Sequence, residues 1–305
     1  MLISDFLRQL ETVVPLSAVG FARDSVGLQV GDESAELSAA LFAYEVTPEI
    51  IAEARKRSAN LIVSFHPLIF PNLSAVTDKT RAGHLVQQLI KNDIALYIQH
   101  TAFDTQPKFG TSILMAEALG LQNITTLTKI DKAVQPAFEG LNFGMGAIGA
   151  WTKGKKRTEV LRIVAETFKS SCVRYNSEGP SRIRTLAMLG GAGMDYYDSA
   201  RAMEADAFIT SDVRYHDFHR ADHDKILLID AGHAETESFV ANGMASAARK
   251  SLDSNGSLSK AVNLYGHDAK RLLLLAHSEP NAVQYYCHGT NRNMSRTKRA
   301  PHKPS

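Results

Sequence analysis

The chain is predicted to adopt an α/β fold, and three observations carry that reading. Short apolar runs of strand length alternate with longer amphipathic stretches, in the order strand, helix, strand, helix, strand. Several of those runs, Leu61–Val63, Ile94–Ile98 and Ile226–Ile229, are apolar throughout, as strands buried on both faces are. The same style resumes after residues 125–142, where regular patterning fades, so the chain is expected to divide into lobes of 1–125 and 126–265. A length of 305 residues exceeds the usual single domain and fits one large or two smaller ones.

The elements follow in order. A first helix is expected from Ile3 to Val14, because Leu2, Ile3, Phe6, Leu7 and Leu10 fall on one face and Pro15 stops it. Val26–Gly31 reads as a short strand with glycine punctuation, and Ala39–Tyr44 as a second strand. Thr47-Pro48-Glu49 then opens a helix to about Arg57: Thr47 can cap, Pro48 suits the first helical position, and Glu49 favours the dipole. Leu61–Val63 is a strand, Asp78–Lys91 a helix, Ile94–Ile98 a strand, and Thr111–Leu119 a helix closed by Gly120. In the second half, Phe143–Ile148 is a strand, Arg157–Phe168 an amphipathic helix and Ser171–Tyr175 a strand. Arg184–Leu189 is a strand running into Gly190-Gly191-Ala192-Gly193. Helices at Tyr197–Met203, His216–Asp222 and Glu235 to about Ser251 enclose strands at Ala207–Thr210 and Ile226–Ile229.

Composition is that of a protein able to build a large core, with 44% apolar and 22% charged residues. The net charge of +2 is unevenly placed: Arg292, Arg296, Lys298, Arg299 and Lys303 put +5 in residues 290–305, leaving −3 for the rest. No broad basic face for nucleic acid follows from this, and residues 287–305 read as a disordered basic tail able at most to give weak, salt-sensitive attachment. Cys172 and Cys287 form no C-x-x-C, which argues against a zinc ribbon or disulfide scaffold and for free thiols in a reducing compartment. Asp5, Arg8 and Glu11 interrupt any signal-peptide pattern, and no apolar stretch approaches the ~20 residues needed to span a bilayer. A cytoplasmic protein is expected.

Three segments carry the chemistry: Phe65-His66-Pro67, His100 to Asp104, and Gly232-His233-Ala234-Glu235-Thr236-Glu237. Each follows an apolar run, so each sits at the carboxyl edge of a sheet, where α/β proteins bind ligands. Imidazoles and carboxylates converging there point to a metal site. His233 and Glu237 are four apart and share one face if a helix starts near His233, while Glu235 points elsewhere. Asp104 adds a hard oxygen and His66 an imidazole. A nitrogen and oxygen set without thiolate suits divalent iron, manganese or zinc, and one or two ions per chain. His100 is a ligand, a general base or, by preference, a partner that orients the ligands. His216, His219 and His223 share a helical face with Asp217, Asp222 and Asp224 around them, which favours a solvated face; His216 alone, nearest the 207–210 strand, faces the cleft. Gly190–Gly193 reads either as a phosphate cradle or as a tight turn needing positive φ, and Gly144–Gly149 is equally open. No Gly-x-Ser-x-Gly elbow or Cys–His pairing supports covalent hydrolysis.

Several stretches in fixed order resemble the NIF3-like family, also called GTP cyclohydrolase I type 2. They are Asp24 to Asp32, Phe65 to Phe70, His100 to Asp104, Thr210-Ser211-Asp212 with Tyr215-His216, and Asp230 to Glu237. Asn281 to Tyr286 resembles that family's closing segment, so residues 266–286 are expected to return to the core. The resemblance covers roughly residues 1–286. It implies two similar-sized α/β lobes with a dinuclear metal centre in the cleft between them, assembled as a homohexamer. It matches His66, Asp104, His233 and Glu237 to metal ligands and His100 to a recurrent cleft histidine. Phe65 stands where the family pattern has the first of two adjacent histidines, and a phenyl ring cannot ligate; Ala147 stands where Arg is common. The implied activity is metal-dependent hydrolysis in which metal-activated water attacks a purine nucleotide ring, with His100 or His216 shuttling protons. The alternative is a non-catalytic metal-binding or protein-interaction factor.

Overall fold

The computed structural model describes residues 1–130, 142–254, 272–277 and 282–283. The expected tail 287–305 and most of the closing segment lie outside the described residues. In chain order the first elements are α1 (Ile3–Glu11), β1 (Gly27–Val30), β2 (Ala40–Ala43), α2 (Pro48–Lys56), β3 (Leu61–Ser64), α3 (Arg81–Lys91), β4 (Ala95–Ile98), α4 (His100–Asp104) and α5 (Thr111–Ala118). Next come β5 (Gln122–Lys129), β6 (Gly144–Lys156), α6 (Arg157–Phe168), β7 (Arg174–Tyr175), β8 (Arg182–Ala192), α7 (Tyr197–Ala202), β9 (Ala207–Ser211) and α8 (Tyr215–Asp224). The last are β10 (Leu227–Asp230), α9 (His233–Thr236), α10 (Val240–Ser254) and β11 (Leu273–Leu275).

The strands form two sheets, ordered β1-β4-β3-β2-β11 and β5-β6-β8-β9-β10-β7. In the first, β11, β2, β3 and β4 run parallel and β1 antiparallel. In the second, β8, β9 and β10 are parallel, while β5, β6 and β7 are antiparallel neighbours. The apolar runs are buried on both faces because each sheet is covered on both sides. Phe42, Val63 and Tyr97 join the layer under α1 and α10, while Leu41, Ile62 and Leu96 join that under α2 and α3. Ile209 and Ile229 pack towards α5 and α6, and Phe208 and Leu228 towards α7 and α8. No helix among the described residues is long and apolar enough to cross a membrane.

Several elements differ from expectation for local reasons. The third helix starts at Arg81, since Thr80 caps it by accepting from the Gly83 N–H at 3.1 Å. The expected helix from Glu235 is two pieces, α9 and α10. Gln122–Lys129 is a strand that the sequence reading did not expect: its residues are mostly polar, its two apolar ones, Ile124 and Leu127, do not alternate, and its register against β6 shifts between Gln122 and Thr125. The positive φ expected in Gly190–Gly193 is there, at Gly191 (φ 69), but inside a strand: β8 continues through Ala192 with a register irregularity against β9 between Met188 and Ala192. α5 packs on the second sheet, and α10 and β11 pack on the first.

Candidate metal centre

The parallel strands end level, and that levels the side chains beyond them. Register pairs Ala43 with Ser64, and Ser64 with Ile98. Main-chain bonds carry the pairing further: His66 N–H donates to the Tyr44 carbonyl at 3.1 Å and His100 N–H to the Phe65 carbonyl at 3.0 Å. Tyr44 and Glu45, Phe65 and His66, and Gln99 and His100 therefore leave one edge side by side. The second sheet delivers Asp212 after β9, at φ 54, and His233 after β10 behind Gly232 at φ 93.

His66, His233 and Glu237 are the trio of potential ligands, among the described residues, whose ligand atoms all lie within 4.8 Å of one another. His233 heads α9 and Glu237 caps its end, so the two meet one turn apart with Nε2 and Oε2 at 3.2 Å. His66 Nε2 lies 3.5 Å from the same oxygen. Ligand atoms 2.0–2.2 Å from a tetrahedral ion sit roughly 3.4 Å from each other, so these separations are of metal-centre size. Glu237 Oε2 is buried without a hydrogen-bond partner, although the residue is only 4% exposed. A buried carboxylate oxygen whose near neighbours are two imidazole nitrogens, with no hydrogen bond of good geometry, fits a cation shared by all three.

The histidines are aimed from behind. His66 Nδ1 lies 3.2 Å from Glu45, His233 Nδ1 lies 2.5 Å from Asp212, and His100 Nδ1 lies 2.7 Å from Asp24. In each, a carboxylate holds Nδ1, so the ring is oriented with Nε2 as the nitrogen that would ligate, and in His66 and His233 that nitrogen faces Glu237. Sequence reasoning gave Asp24 and Asp212 no role and missed Glu45. Their signal is positional, since Glu45 and Asp212 each follow a buried strand by one or two residues. Glu45 in turn receives Arg81 at 2.8 Å. Burial pushes the Glu45 pKa up, but His66 and Arg81 outweigh it and the net shift is downward. Asp24 likewise ends low, as bonds from His100 and Thr101 overcome burial.

His100 and Asp104 begin and end α4 and share its face. Asp104 accepts from the Thr111 hydroxyl and stands apart from the tight trio. Burial and the Glu237 charge push its carboxyl up to about 7 against the opposing pull of Thr111, His100 and His66. Burial lowers the His233 pKa, but Glu237 and Asp212 bring it up to about 9. For His100, burial also lowers, and Asp24, Asp104 and Glu237 turn the net shift upward. Tyr44 is hydrogen-bonded to Glu237, and burial with that charge keeps its phenol protonated. Phe65 is 1% exposed, stacked on Tyr44 at 6.5 Å and edge-on to His100 at 5.6 Å, so a phenyl face lines the centre. His216 is not one of the trio: it is exposed on α8, beside Tyr215 and His219. Gly191, at φ 69, lies under the trio, where an added Cβ would meet Glu237 Oε1 at 2.3 Å and His233 Nε2 at 3.1 Å.

The sequence profile of a family described as Duf34/NIF3 (NGG1p interacting factor 3) matches residues 1–263. Proteins named GTP cyclohydrolase 1 type 2 homolog are similar. That of Clostridium acetobutylicum is 32% identical over 235 residues, covering 77% of this chain and 85% of its own. That of Streptomyces coelicolor is 34% identical over 217 residues, covering 70% and 74%. Among solved structures, a Bacillus cereus protein related to NIF3 superposes with a TM-score of 0.79 at 21% identity, over 94% of this chain and 99% of its own. At that identity the likeness shows the fold.

Proposed function

The chain belongs to the Duf34/NIF3 family, and from that premise we propose that it is a metal-dependent hydrolase of purine nucleotides, of the GTP cyclohydrolase 1 type 2 kind. One observation carries the metal-dependent part of the reading: two Nε2 atoms, each on a ring backed by a carboxylate, converge on the buried Glu237 Oε2 at 3.5 and 3.2 Å; the nucleotide rests on the names of the relatives. His66, His233 and Glu237 would hold divalent iron, zinc or manganese, with Asp104 the next oxygen once its proton leaves. Such an ion supplies a Lewis acid and acidified water. His100, with Asp24 fixing Nδ1, is placed to move a proton through Nε2. Its raised pKa favours holding that proton, which suits delivery to a departing ring nitrogen. Hydrolysis at the purine C8 consumes two waters: the C8–N9 bond breaks and N9 takes one proton, the C8=N7 bond is hydrolysed and N7 takes two, and the carbon leaves as formic acid carrying both water oxygens. His216, exposed on α8, is left out of this scheme.

Formate release from GTP tests the reading. Turnover should require metal, vanish in Glu237→Ala and fall in His100→Gln with metal content retained. Full metal loading with no turnover of any nucleotide would sink it. The second reading, a non-catalytic metal-binding or interaction factor, is favoured by Phe65, whose buried ring offers no ligand. Metal content separates the two. About two ions per chain in wild type keeps a dinuclear centre; about one, rising toward two in Phe65→His, favours the binding factor. A cytoplasmic homohexamer goes with either reading, with a solution mass of about 200 kDa for chains of 33.4 kDa.

A further inference from the structure

The loop before β1 holds features that the metal centre does not use. Its two ends are tied to the start of α4. Gly20 N–H donates to the Thr101 hydroxyl at 2.9 Å. Asp24 accepts from the Thr101 N–H at 3.2 Å, from the Thr101 hydroxyl at 2.5 Å, and pairs with His100 at 2.7 Å. Between these anchors Phe21, Ala22 and Arg23 are exposed. Phe21 is 42% exposed and belongs to no apolar cluster among the described residues. Its ring stands edge-on to His100, centroids 6.0 Å apart at 85°. A continuous row of rings results, since His100 lies 5.8 Å from His66 and His66 5.6 Å from His233. Arg23 makes no ion pair among the described residues and is held at φ 69, where an L residue is strained. Isolated exposed apolar side chains are ordinary on protein surfaces. This one differs because its loop is clamped at both ends to the helix that presents His100, so its place beside the centre is fixed.

We propose that Phe21 and Arg23 form the recognition subsite of this centre: Phe21 takes the face of a planar heteroaromatic ring, and Arg23 takes the anionic tail that the ring carries. The pairing rests on the reading above in naming a purine nucleotide. Aromatic faces hold bases by stacking, and an unpaired guanidinium is suited to phosphate.

The test uses the full chain, loaded with metal, titrated with GTP, guanosine and tripolyphosphate by calorimetry. Phe21→Ala should weaken GTP and guanosine about tenfold. Phe21→Trp should keep GTP affinity and report it by quenching of the new indole. Arg23→Asn, a residue that accepts the left-handed region, should weaken GTP severalfold, leave guanosine unchanged and flatten the salt dependence. Metal content and melting temperature should stay at wild-type values, since Phe21 lies outside the core. Equal GTP affinity in Phe21→Ala overturns the subsite, as do tripolyphosphate binding as tight as GTP and no nucleotide binding in any form. Formate release indifferent to Phe21 would leave the hydrolase standing and remove the subsite. Phe21-dependent binding without formate would do the reverse.

Discussion

Replacing Gly191 by alanine should weaken metal binding at the candidate centre while leaving the fold largely in place. The structure supplies two separable costs. The backbone at φ 69 is left-handed, which costs an L residue about 1–2 kcal/mol. The new Cβ would also stand 2.3 Å from Glu237 Oε1, so the carboxylate must retreat by about 1 Å to reach ordinary contact. Metal ligands tolerate displacements of only about 0.2 Å. Gly191 cannot yield instead, because its N–H donates to the Thr236 hydroxyl at 3.1 Å and its carbonyl accepts from Thr210 at 2.9 Å. Gly120 gives the control: it too has φ 69, but a Cβ there meets nothing within 4 Å. Gly120→Ala therefore measures the backbone cost alone. Metal affinity, read by competition with a chelator, should drop about 10–100-fold in Gly191→Ala and stay at wild type in Gly120→Ala. Both should lose a similar few degrees of melting temperature when metal-free. If Gly191→Ala binds metal within twofold of Gly120→Ala, the glycine does not set the position of Glu237.

Three further outcomes are expected. Metal loading at pH 7 should release between about one and two protons per chain, since His233 and Asp104 hold protons up to about 9 and about 7 in the metal-free protein. Both values lie above the ordinary 6.5 and 3.8, so these groups favour the metal-free fold at low pH and cease to do so as pH rises through the folded values. The melting temperature gained on adding metal should accordingly widen from pH 5 to pH 9, and a gain that is flat with pH would refute the assignment. Asp212→Asn, which keeps an acceptor for His233 Nδ1 but drops the charge, should weaken metal binding about tenfold, and Asp212→Ala more; unchanged chelator competition would show that Asp212 does not orient His233. Gln99→Met should raise the melting temperature, because the Gln99 amide is fully buried with neither polar atom hydrogen-bonded and about 1–3 kcal/mol of desolvation is recovered. A lower melting temperature would mean that the amide has a buried partner.

The sequence made the sheets legible through Leu61–Ser64 and Leu227–Asp230, because burial on both faces leaves no polar residue to disguise a strand until its last position. It made the candidate ligands His66 and His233 legible for the same reason: a histidine soon after such a run has few places to go. The partners behind the histidines were harder. Glu45 and Asp212 look like ordinary surface acids, and only the level ending of neighbouring strands reveals that each faces an imidazole. β5 was hidden by its polar composition, which suits a strand at the edge of its sheet. The glycines of β8 resembled a turn because sequence shows that a Cβ is missing, not what occupies the space. Where α10 would pack could not be read at all, since its small-residue face, with Gly243, Ala247 and Ala248, fits many surfaces equally.

The first sheet is finished late. One of its apolar faces is roofed by α10, and its edge beyond β2 is supplied by β11, both made after the entire second sheet. During synthesis Phe42, Val63 and Tyr97 therefore wait, covered on that side by α1 alone, for residues 240–254 to emerge. A nascent chain cannot bank its first half before beginning its second, so assembly is expected to be slow and exposed to misfolding. An ion gripped by His66 from one sheet and by His233 and Glu237 from the other would then act as a rivet, joining parts that the ribosome delivers far apart in time.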